Sequence, residues 1–356
     1  MRILAKSFIP ILTGMLIFLS CSDDQSSPVL GGGNFSSDWI LDQSEVFDGG
    51  PGKDGIPSVD DPNFINTSEV DFNREADLVL AIKINAEIKG YSHVILDWHE
   101  IVNDRVGGQS VAITYCPLTG TGIAWDRFVG GSETTFGVSG LLYRNNLIPY
   151  DRRTDSNWSQ MRLDCVQGEL VTTKITTFPM IEMPWSTWQL MFPNESVMSL
   201  ETGFSRSYGV YPYGDYRSNN NRLLFPVGQE DSRLPRKERV LGVIIGNSVK
   251  VYRFTPFANG LDVIQDDHAG HELVIVGSKE HNFMIAYENP NDLQFTPSEI
   301  QPGGIVMTDQ DGGSWNIFGE AVDGPNQDKK LGSIDAFIGY WFAFGAFHHE
   351  PDIFGE

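Results

Sequence analysis

The sequence has few cysteines and few basic residues. Only 3 of its 356 residues are Cys, and Lys and Arg together number 25 against 47 for Asp and Glu. The formal net charge is therefore −22. Nucleic acids and anionic membrane surfaces are bound through clustered Lys and Arg, so neither is expected as a partner, and cations or neutral surfaces suit the chain better. The hydrophobic content of 40% is sufficient for ordinary globular cores.

The apolar stretch at the N-terminus, Phe8–Leu19, is short. At about 12 residues it cannot form a stable transmembrane anchor. Because basic residues precede it and Cys21 follows, it resembles a bacterial lipoprotein signal in which residues 1–20 are removed and Cys21 is lipidated. We therefore expect a membrane anchor at Cys21 and an outer-membrane lipoprotein of a Gram-negative bacterium. The acidic pair Asp23–Asp24 either directs the protein to the cell surface or only opens a solvated tether.

A unit of roughly 120 residues occurs twice in the chain. Val79–Ile82 aligns with Val240–Val243, and Gly122–Asp126 aligns with Met284–Glu288. The apolar positions match between the two copies, whereas the polar positions do not. This pattern is typical of a duplicated fold in which one copy has lost its function and still has to pack. The alternative is chance similarity between β-rich segments.

Short apolar runs rich in Val and Ile predict β-strands, among them Leu78–Ile84, His93–Leu96 and Val111–Tyr115. Aromatic residues spaced three apart between two prolines instead predict a short helix at 184–193, and 340–349 repeats this pattern. The predicted fold is mainly β, a β-rich α+β fold built from two tandem copies of one β unit, each ending in a short helix.

The predicted organisation begins with a flexible tether at residues 21–44. The first copy spans 45–205, a linker spans 206–237, and the second, degenerate copy spans 238–356. The linker contains four tyrosines between Tyr208 and Tyr216, which indicate either packing between the copies or an exposed surface for carbohydrate stacking. We expect a monomer.

The residues from which a site could be built lie between Asp97 and Gln160 in the first copy. The motifs that carry them are Asp97–Asp104, Thr114–Gly120, Phe136–Gly140 and Tyr150–Gln160. Together with Gly49–Pro57 and Pro184–Pro193, these motifs resemble the prokaryotic family catalogued as domain of unknown function 3179, over roughly residues 48–350. The resemblance implies relatives without implying an activity, a substrate or a cofactor.

One motif departs from that family. Its usual Cys-Pro-Leu-Cys reads Cys116-Pro117-Leu118-Thr119 here, so a dithiol mechanism confined to this motif is not expected. In the second copy, Ser278 and Val322 occupy the positions of Cys116 and Cys165. Because both cysteines are missing from the second copy, we expect the first copy to use them together, as a disulfide or in one site. The alternatives are a free or metal-binding thiol at Cys116, or two unrelated buried thiols.

His99 and Cys116, with a carboxylate such as Asp97, form a candidate site for zinc, copper or iron, since mixed nitrogen, sulfur and oxygen ligands suit these metals. The candidate catalytic residues are Cys116, His99, Glu100, Asp151 and Arg152. The alternatives are that His99 is a satisfied buried histidine and that the Asp151–Arg152 pair is structural.

Two functions from different classes remain open. The first is a metal- or thiol-dependent enzyme, or a metal-handling protein, with its site in the first copy. The second is a non-catalytic surface lipoprotein that binds a partner or acts as a scaffold. The asymmetry between the copies favours the first, whereas the missing second cysteine favours the second. The residues indicate no substrate.

Overall fold

The computed structural model describes residues 38–356. The predicted signal peptide and the lipidation site Cys21 lie outside the described residues. The fold is mainly β, as the sequence predicts, with three short α-helices among the described residues. No helix in this part of the chain is long and apolar enough to cross a membrane.

The first copy contains seventeen strands and two helices. These are β1 (Val46–Asp48), β2 (Val59–Asp60), β3 (Phe64–Asn66), β4 (Leu78–Ile84), β5 (Glu87–Ser92), α1 (His93–His99), β6 (Ile101–Val106), β7 (Gln109–Cys116), β8 (Thr121–Asp126), β9 (Phe128–Val129), β10 (Ser132–Glu133), β11 (Phe136–Tyr143), β12 (Asn146–Asp151), β13 (Asn157–Ser159), β14 (Asp164–Gln167), β15 (Thr177–Phe178), β16 (Met180–Pro184), α2 (Trp185–Met191) and β17 (Ser196–Met198).

The second copy contains ten strands and one helix. These are β18 (Arg239–Ile245), β19 (Ser248–Arg253), β20 (Leu261–His268), β21 (His271–Ser278), β22 (Phe283–Glu288), β23 (Phe295–Gln301), β24 (Ile305–Asp309), β25 (Ser314–Asn316), β26 (Asp335–Tyr340), α3 (Trp341–Phe347) and β27 (Asp352–Ile353).

The same sheet topology occurs in both copies. The strand order β16-β4-β5-β17 in the first copy corresponds to β26-β18-β19-β27 in the second, and β8-β7-β6 corresponds to β22-β21-β20. Even the parallel pairing is repeated, because Ser196 pairs with Lys89 and Asp352 pairs with Lys250. Near the end of each copy a helix follows a long antiparallel strand, α2 after β16 and α3 after β26, and one short strand, β17 or β27, comes after the helix. The chain is therefore built from two copies of one β unit.

A buried tryptophan and aspartate pair also occurs in both copies. Trp158 Nε1 donates to Asp151 Oδ2 at 3.1 Å, and Trp315 Nε1 donates to Asp309 Oδ2 at 2.8 Å. Both indoles are fully buried. The recurrence of this contact in both copies indicates that Asp151 and Asp309 serve the fold that the copies share.

We expect Trp158→Phe and Trp315→Phe to lower the free energy of unfolding by similar amounts, about 1–3 kcal/mol each. Each change keeps an aromatic ring and removes the only indole donor to a buried carboxylate. Chemical denaturation of both variants measures the two losses. A large loss at one position with none at the other would contradict the structural equivalence of the two pairs.

The two copies pack into one compact unit. One hydrophobic core contains Trp125 and Trp158 of the first copy beside Trp341 and Phe344 of the second. The predicted linker lies within this unit, since Tyr216 is fully buried. The folded part of the chain begins before the predicted boundary at residue 45, because Ile40 N donates to Val166 O at 3.0 Å.

The strand predicted at His93–Leu96 is wrong, because these residues form the start of α1. Ser92 caps this helix by accepting a hydrogen bond from Val94 N at 3.2 Å. The helix is buried nearly all round, so its sequence lacks the polar face that marks an amphipathic helix. A short, continuous apolar run fits a buried strand or a buried helix equally well.

Candidate functional site

The end of α1 places two neighbouring side chains in different surroundings. The helix ends at His99, and Glu100 N donates to Leu96 O at 2.9 Å. Glu100 itself has a φ of 58°, a left-handed conformation that costs a non-glycine residue about 1–3 kcal/mol. Backbone strain of this kind clusters at functional sites, so Glu100 is the first residue of interest.

His99 has no free ring nitrogen. Its Nδ1 lies 2.7 Å from the carbonyl oxygen of Pro57, and its Nε2 lies 2.7 Å from the hydroxyl of Tyr208. A carbonyl only accepts, so Nδ1 carries the proton and the Nε2 lone pair accepts from Tyr208. Burial lowers the pKa of His99, in agreement with a neutral ring. His99 is therefore a structural residue rather than a metal ligand.

The predicted linker contributes a segment that covers this region. We call Tyr208–Arg217 the tyrosine strap. It crosses α1 and the turn between β7 and β8, and it makes hydrogen bonds to both. In addition to Tyr208, the contacts are Val210 O with Trp98 Nε1 at 3.1 Å, Tyr211 Oη with Pro117 O at 3.2 Å, Tyr213 Oη with Glu100 Oε1 at 3.0 Å, and Tyr216 Oη with Leu118 O at 2.9 Å.

A cavity of about 140 Å³ lies beneath this cover, and we call it the Glu100 pocket. Its lining is mainly apolar, and the polar side chains in it are those of Glu100, Cys116 and Tyr213. The full lining is Gly49, Pro51, Ile56, Glu100, Cys116, Leu118, Val138, Gly140, Leu141, Leu142, Leu147, Tyr213, Leu224 and Phe225.

The glycine-rich loop at 48–57 forms one wall of the pocket. It docks against β11, where Gly49 N donates to Gly140 O at 2.7 Å. Gly140 has a φ of 82°, and a Cβ there would lie 2.6 Å from the carbonyl carbon of Gly52. Only glycine allows this close approach of the two backbones. The turn-forming residues of the loop therefore shape the pocket wall.

Arg152 holds the same loop in place. Its guanidinium donates to Asp54 Oδ1 at 3.1 Å and to Ser58 Oγ at 3.0 Å. Asp151 instead accepts from Thr154 and Trp158. The two neighbours thus have separate structural roles, and neither lines the Glu100 pocket.

The carboxyl group of Glu100 is buried and has a raised pKa. Only 5% of the residue is exposed, and its burial raises the pKa to about 7. The hydrogen bond from Tyr213 lowers the pKa, while the nearby carboxylate of Asp97 raises it. A pKa near neutrality allows one group to act as both acid and base at physiological pH.

The thiol of Cys116 is not reactive in this setting. It is 1% exposed, and burial raises its pKa to about 11, with a further contribution from the charge of Glu100. A thiol with this pKa stays protonated near neutral pH, whereas nucleophiles and metal ligands are thiolates. Cys116 therefore contributes a small, weakly polar surface to the pocket.

Cys116 and Cys165 are free, buried thiols, so of the alternatives that the sequence left open the structure has no disulfide between them. Each thiol lies against backbone oxygens in its own surroundings: Cys116 Sγ is 3.5 Å from Asn145 O, and Cys165 Sγ is 3.3 Å from Asn157 O. The two thiols thus lie in separate surroundings.

Alkylation distinguishes this arrangement from a disulfide. We expect Cys116 and Cys165 to react with iodoacetamide only after denaturation, with no reductant needed, because burial and a high pKa both protect them. Peptide mapping by mass spectrometry measures the modification at each site. A peptide pair that appears only after reduction would contradict the structure.

The predicted metal ligands are not assembled into a site. Within residues 38–356, no group of three or more His, Cys, Asp or Glu side chains is arranged to hold a metal ion. His99 uses both ring nitrogens, Cys116 Sγ lies against Asn145 O at 3.5 Å, and Asp97 Oδ2 lies 3.9 Å from the guanidinium of Arg217. This geometry does not fit a zinc, copper or iron centre.

Sequence reasoning missed a buried polar network behind Cys116. Gln160 Oε1 accepts from Thr121 at 2.7 Å and from Asn146 at 2.8 Å, and Asn146 also donates to Thr119 at 2.9 Å. All four side chains are nearly or fully buried. Thr119, which replaces the family's second cysteine, is thus satisfied by hydrogen bonds.

A comparison between the copies could have found this network. By the strand pairings, Phe283 stands where the first copy has Thr121, and Ile317 follows Trp315 at the same interval as Gln160 follows Trp158. Positions that are polar in one copy and apolar in the other mark where the first copy is specialised. The same comparison could not reveal Tyr213, because the strap has no counterpart in the second copy.

Fold and site together define a class of protein: a duplicated β fold in which one copy contains an apolar pocket lined by a buried carboxyl group. The family model described as "Protein of unknown function (DUF3179)" matches residues 53–351, and the chain belongs to this family. No curated protein and no solved structure matches the chain at a significant level.

Proposed function

We propose that the first copy binds a small molecule in the Glu100 pocket and exchanges a proton with it through Glu100. The single observation that carries this proposal is a strained, buried carboxyl group at an apolar cavity, with a pKa of about 7. Apolar pockets with one or two convergent polar groups are typical ligand sites. A group with a perturbed pKa in such a pocket is typical of acid–base chemistry.

The volume of the pocket limits the size of the molecule that it can bind. An apolar cavity of about 150 Å³ accommodates benzene. The Glu100 pocket, at about 140 Å³, is comparable. Its expected occupant is therefore a molecule of about six non-hydrogen atoms or a small group of a larger one.

Benzene is a suitable first probe, since it tests the cavity without relying on a polar contact. We expect crystals equilibrated with benzene to show it beside Leu147 and Val138. Leu224 is half-buried and lines the pocket beyond the end of the strap, and Leu224→Trp, which fills the pocket, should prevent this uptake. In parallel, ¹³C NMR of the glutamate carboxyl groups should show one that titrates near pH 7 and disappears in Glu100→Gln. An empty cavity with Glu100 titrating below pH 5 would refute the proposal.

A non-catalytic binding module is the second candidate. The observation that favours it is the burial of Cys116, which raises the pKa of its thiol and keeps it from acting as a nucleophile. In that case the pocket would hold a small molecule without turning it over. Glu100→Gln would then change affinity alone, whereas in an acid–base enzyme it would abolish turnover of the same compound.

We also propose that the protein is an outer-membrane lipoprotein anchored through Cys21. The support is the N-terminal sequence, in which a short apolar stretch precedes Cys21. Metabolic labelling with a radioactive fatty acid should mark the wild-type protein and leave Cys21→Ala unlabelled. Equal labelling of both proteins would argue against lipidation at this residue.

A further inference from the structure

The ionisable side chains that line the Glu100 pocket can carry negative charge and no positive charge. The described lining residues include one carboxyl group and no Lys, Arg or His. Tyr213 donates to Glu100 Oε1 at 3.0 Å, whereas no side chain of residues 38–356 donates to the other carboxyl oxygen, Oε2. A carboxyl group that is 95% buried therefore has one oxygen available to a molecule in the pocket.

A second buried carboxyl group lies close behind the first. Asp97 lies in the last turn of α1, and Glu100 directly follows the end of this helix. Asp97 is 7% exposed, and its Oδ1 has no hydrogen-bond partner. Its charge acts on Glu100 and raises the pKa of that group.

The charges around Asp97 compensate it only in part. Arg217 of the strap approaches Oδ2, at 3.9 Å, and is itself 54% exposed in its side chain. The other ionisable groups that act on Asp97, or on which it acts, are His93 on α1, Asp77 before β4, Glu100, Tyr115 on β7, Tyr211 on the strap and Tyr340 on β26. Of these, only His93 acts on Asp97 as a cation, and it lies 3.1 Å from Glu182 Oε2 as well.

The whole protein reinforces this local field. Its formal net charge of −22 attracts cations and repels anions over long range. An anion in the pocket would lose its hydration and face two buried carboxyl groups. A molecule with a proton to donate gains a charge-assisted hydrogen bond to Glu100 instead.

We propose that the Glu100 pocket takes a small weak organic base, whose protonated nitrogen donates a hydrogen bond to Glu100 Oε2. The apolar walls, Leu147 and Val138 among them, hold its carbon skeleton. This inference rests on the proposed function and adds the class of molecule to it.

One proton is shared in the complex. If the base enters neutral, Glu100 must hold the proton and transfers it to the nitrogen; if the base enters protonated, Glu100 must be ionised. Both routes give the same pair of a cation and a carboxylate. Binding is therefore strongest near neutral pH, and it weakens in acid, where both partners are protonated, and in alkali, where neither is.

Imidazole is a suitable probe, since it titrates near neutral pH and fits the cavity. We expect calorimetry at pH 7 to show imidazole binding at least about 10-fold tighter to the wild type than to Glu100→Gln, the loss of one charge-assisted hydrogen bond. Benzene should bind both proteins equally, which also shows that the variant is folded. Glu169→Gln removes one exposed charge elsewhere and should behave as the wild type.

Two results would overturn the inference while leaving the proposed function intact: equal imidazole affinity in the wild type and Glu100→Gln, or tighter binding of acetate than of imidazole to the wild type. Failure of the wild type to bind benzene, imidazole and acetate alike would overturn the proposed function as well. A maximum in imidazole affinity near pH 7 that is lost in Glu100→Gln supports the shared proton.

Discussion

Replacing Glu100 by Gln is expected to increase the free energy of unfolding by about 3 kcal/mol above pH 8 and to leave it nearly unchanged at pH 4. The pKa of Glu100 is raised in the folded protein from 4.5 to about 7, mainly by burial. Since each pH unit between the two pKa values corresponds to about 1.4 kcal/mol, the ionised group destabilises the fold by about 3 kcal/mol.

The direction follows from proton binding. Between pH 4.5 and 7 the folded state holds a proton on Glu100 that the unfolded state has lost, so stability decreases as the pH rises. Glutamine cannot ionise, and Glu100→Gln therefore lacks this decrease. Urea unfolding of both proteins at several pH values measures it, with Glu169→Gln as the control for a lost surface charge. If the free energy of unfolding of the wild type and of Glu100→Gln changed in parallel with pH, the pKa of Glu100 would not be raised in the folded protein.

Asp97 adds a second decrease of the same sign. Burial raises its pKa from 3.8 to about 6, although His93 and Arg217 act in the opposite direction. Part of the wild-type loss of stability should therefore persist in Glu100→Gln. Two neighbouring carboxyl groups therefore oppose folding near neutral pH, as expected if they are kept for the proposed function rather than for stability.

The second large effect is expected at Glu182, which joins the two copies. Glu182 lies on β16 and is 5% exposed, and it contacts Arg239 on β18 of the second copy. Its Oε2 also lies 3.1 Å from His93 Nε2. Glu182→Gln should lower the free energy of unfolding by about 3 kcal/mol at pH 7, because it leaves Arg239 without its buried partner.

The pH dependence of this loss has the opposite sign to that of Glu100. Arg239 and His93 lower the pKa of Glu182, although its burial acts to raise it. The stabilisation is therefore present above the unfolded pKa and disappears as the pH falls through the folded one. Glu230→Gln is a matched control, since its pair with Arg236 is 37% exposed on both sides and should be worth less than about 1 kcal/mol. Equal losses in the two variants would contradict a buried role for Glu182.

The sequence determined the β-rich class and the duplication, because alternating or continuous apolar runs have to face a core in any fold that the chain adopts. The helices α2 and α3 were predictable for the same reason, as their aromatic residues recur at helical spacing. The helix α1 was not, since its residues are buried on nearly all sides and have no polar face to reveal the period. Because a strand was predicted in place of α1, the sequence also did not show how His99 and Glu100 are placed at the end of a helix.

The candidate residues were found by their type, whereas their roles depended on contacts that the sequence does not contain. His99 and Cys116 have the chemistry of metal ligands, and the tertiary structure gives them other partners. Glu100 gained its raised pKa from burial beneath a segment more than a hundred residues away, Tyr208–Arg217. Composition and spacing reveal which groups are available. Desolvation and hydrogen bonding, which only the folded chain supplies, decide which of them is able to act.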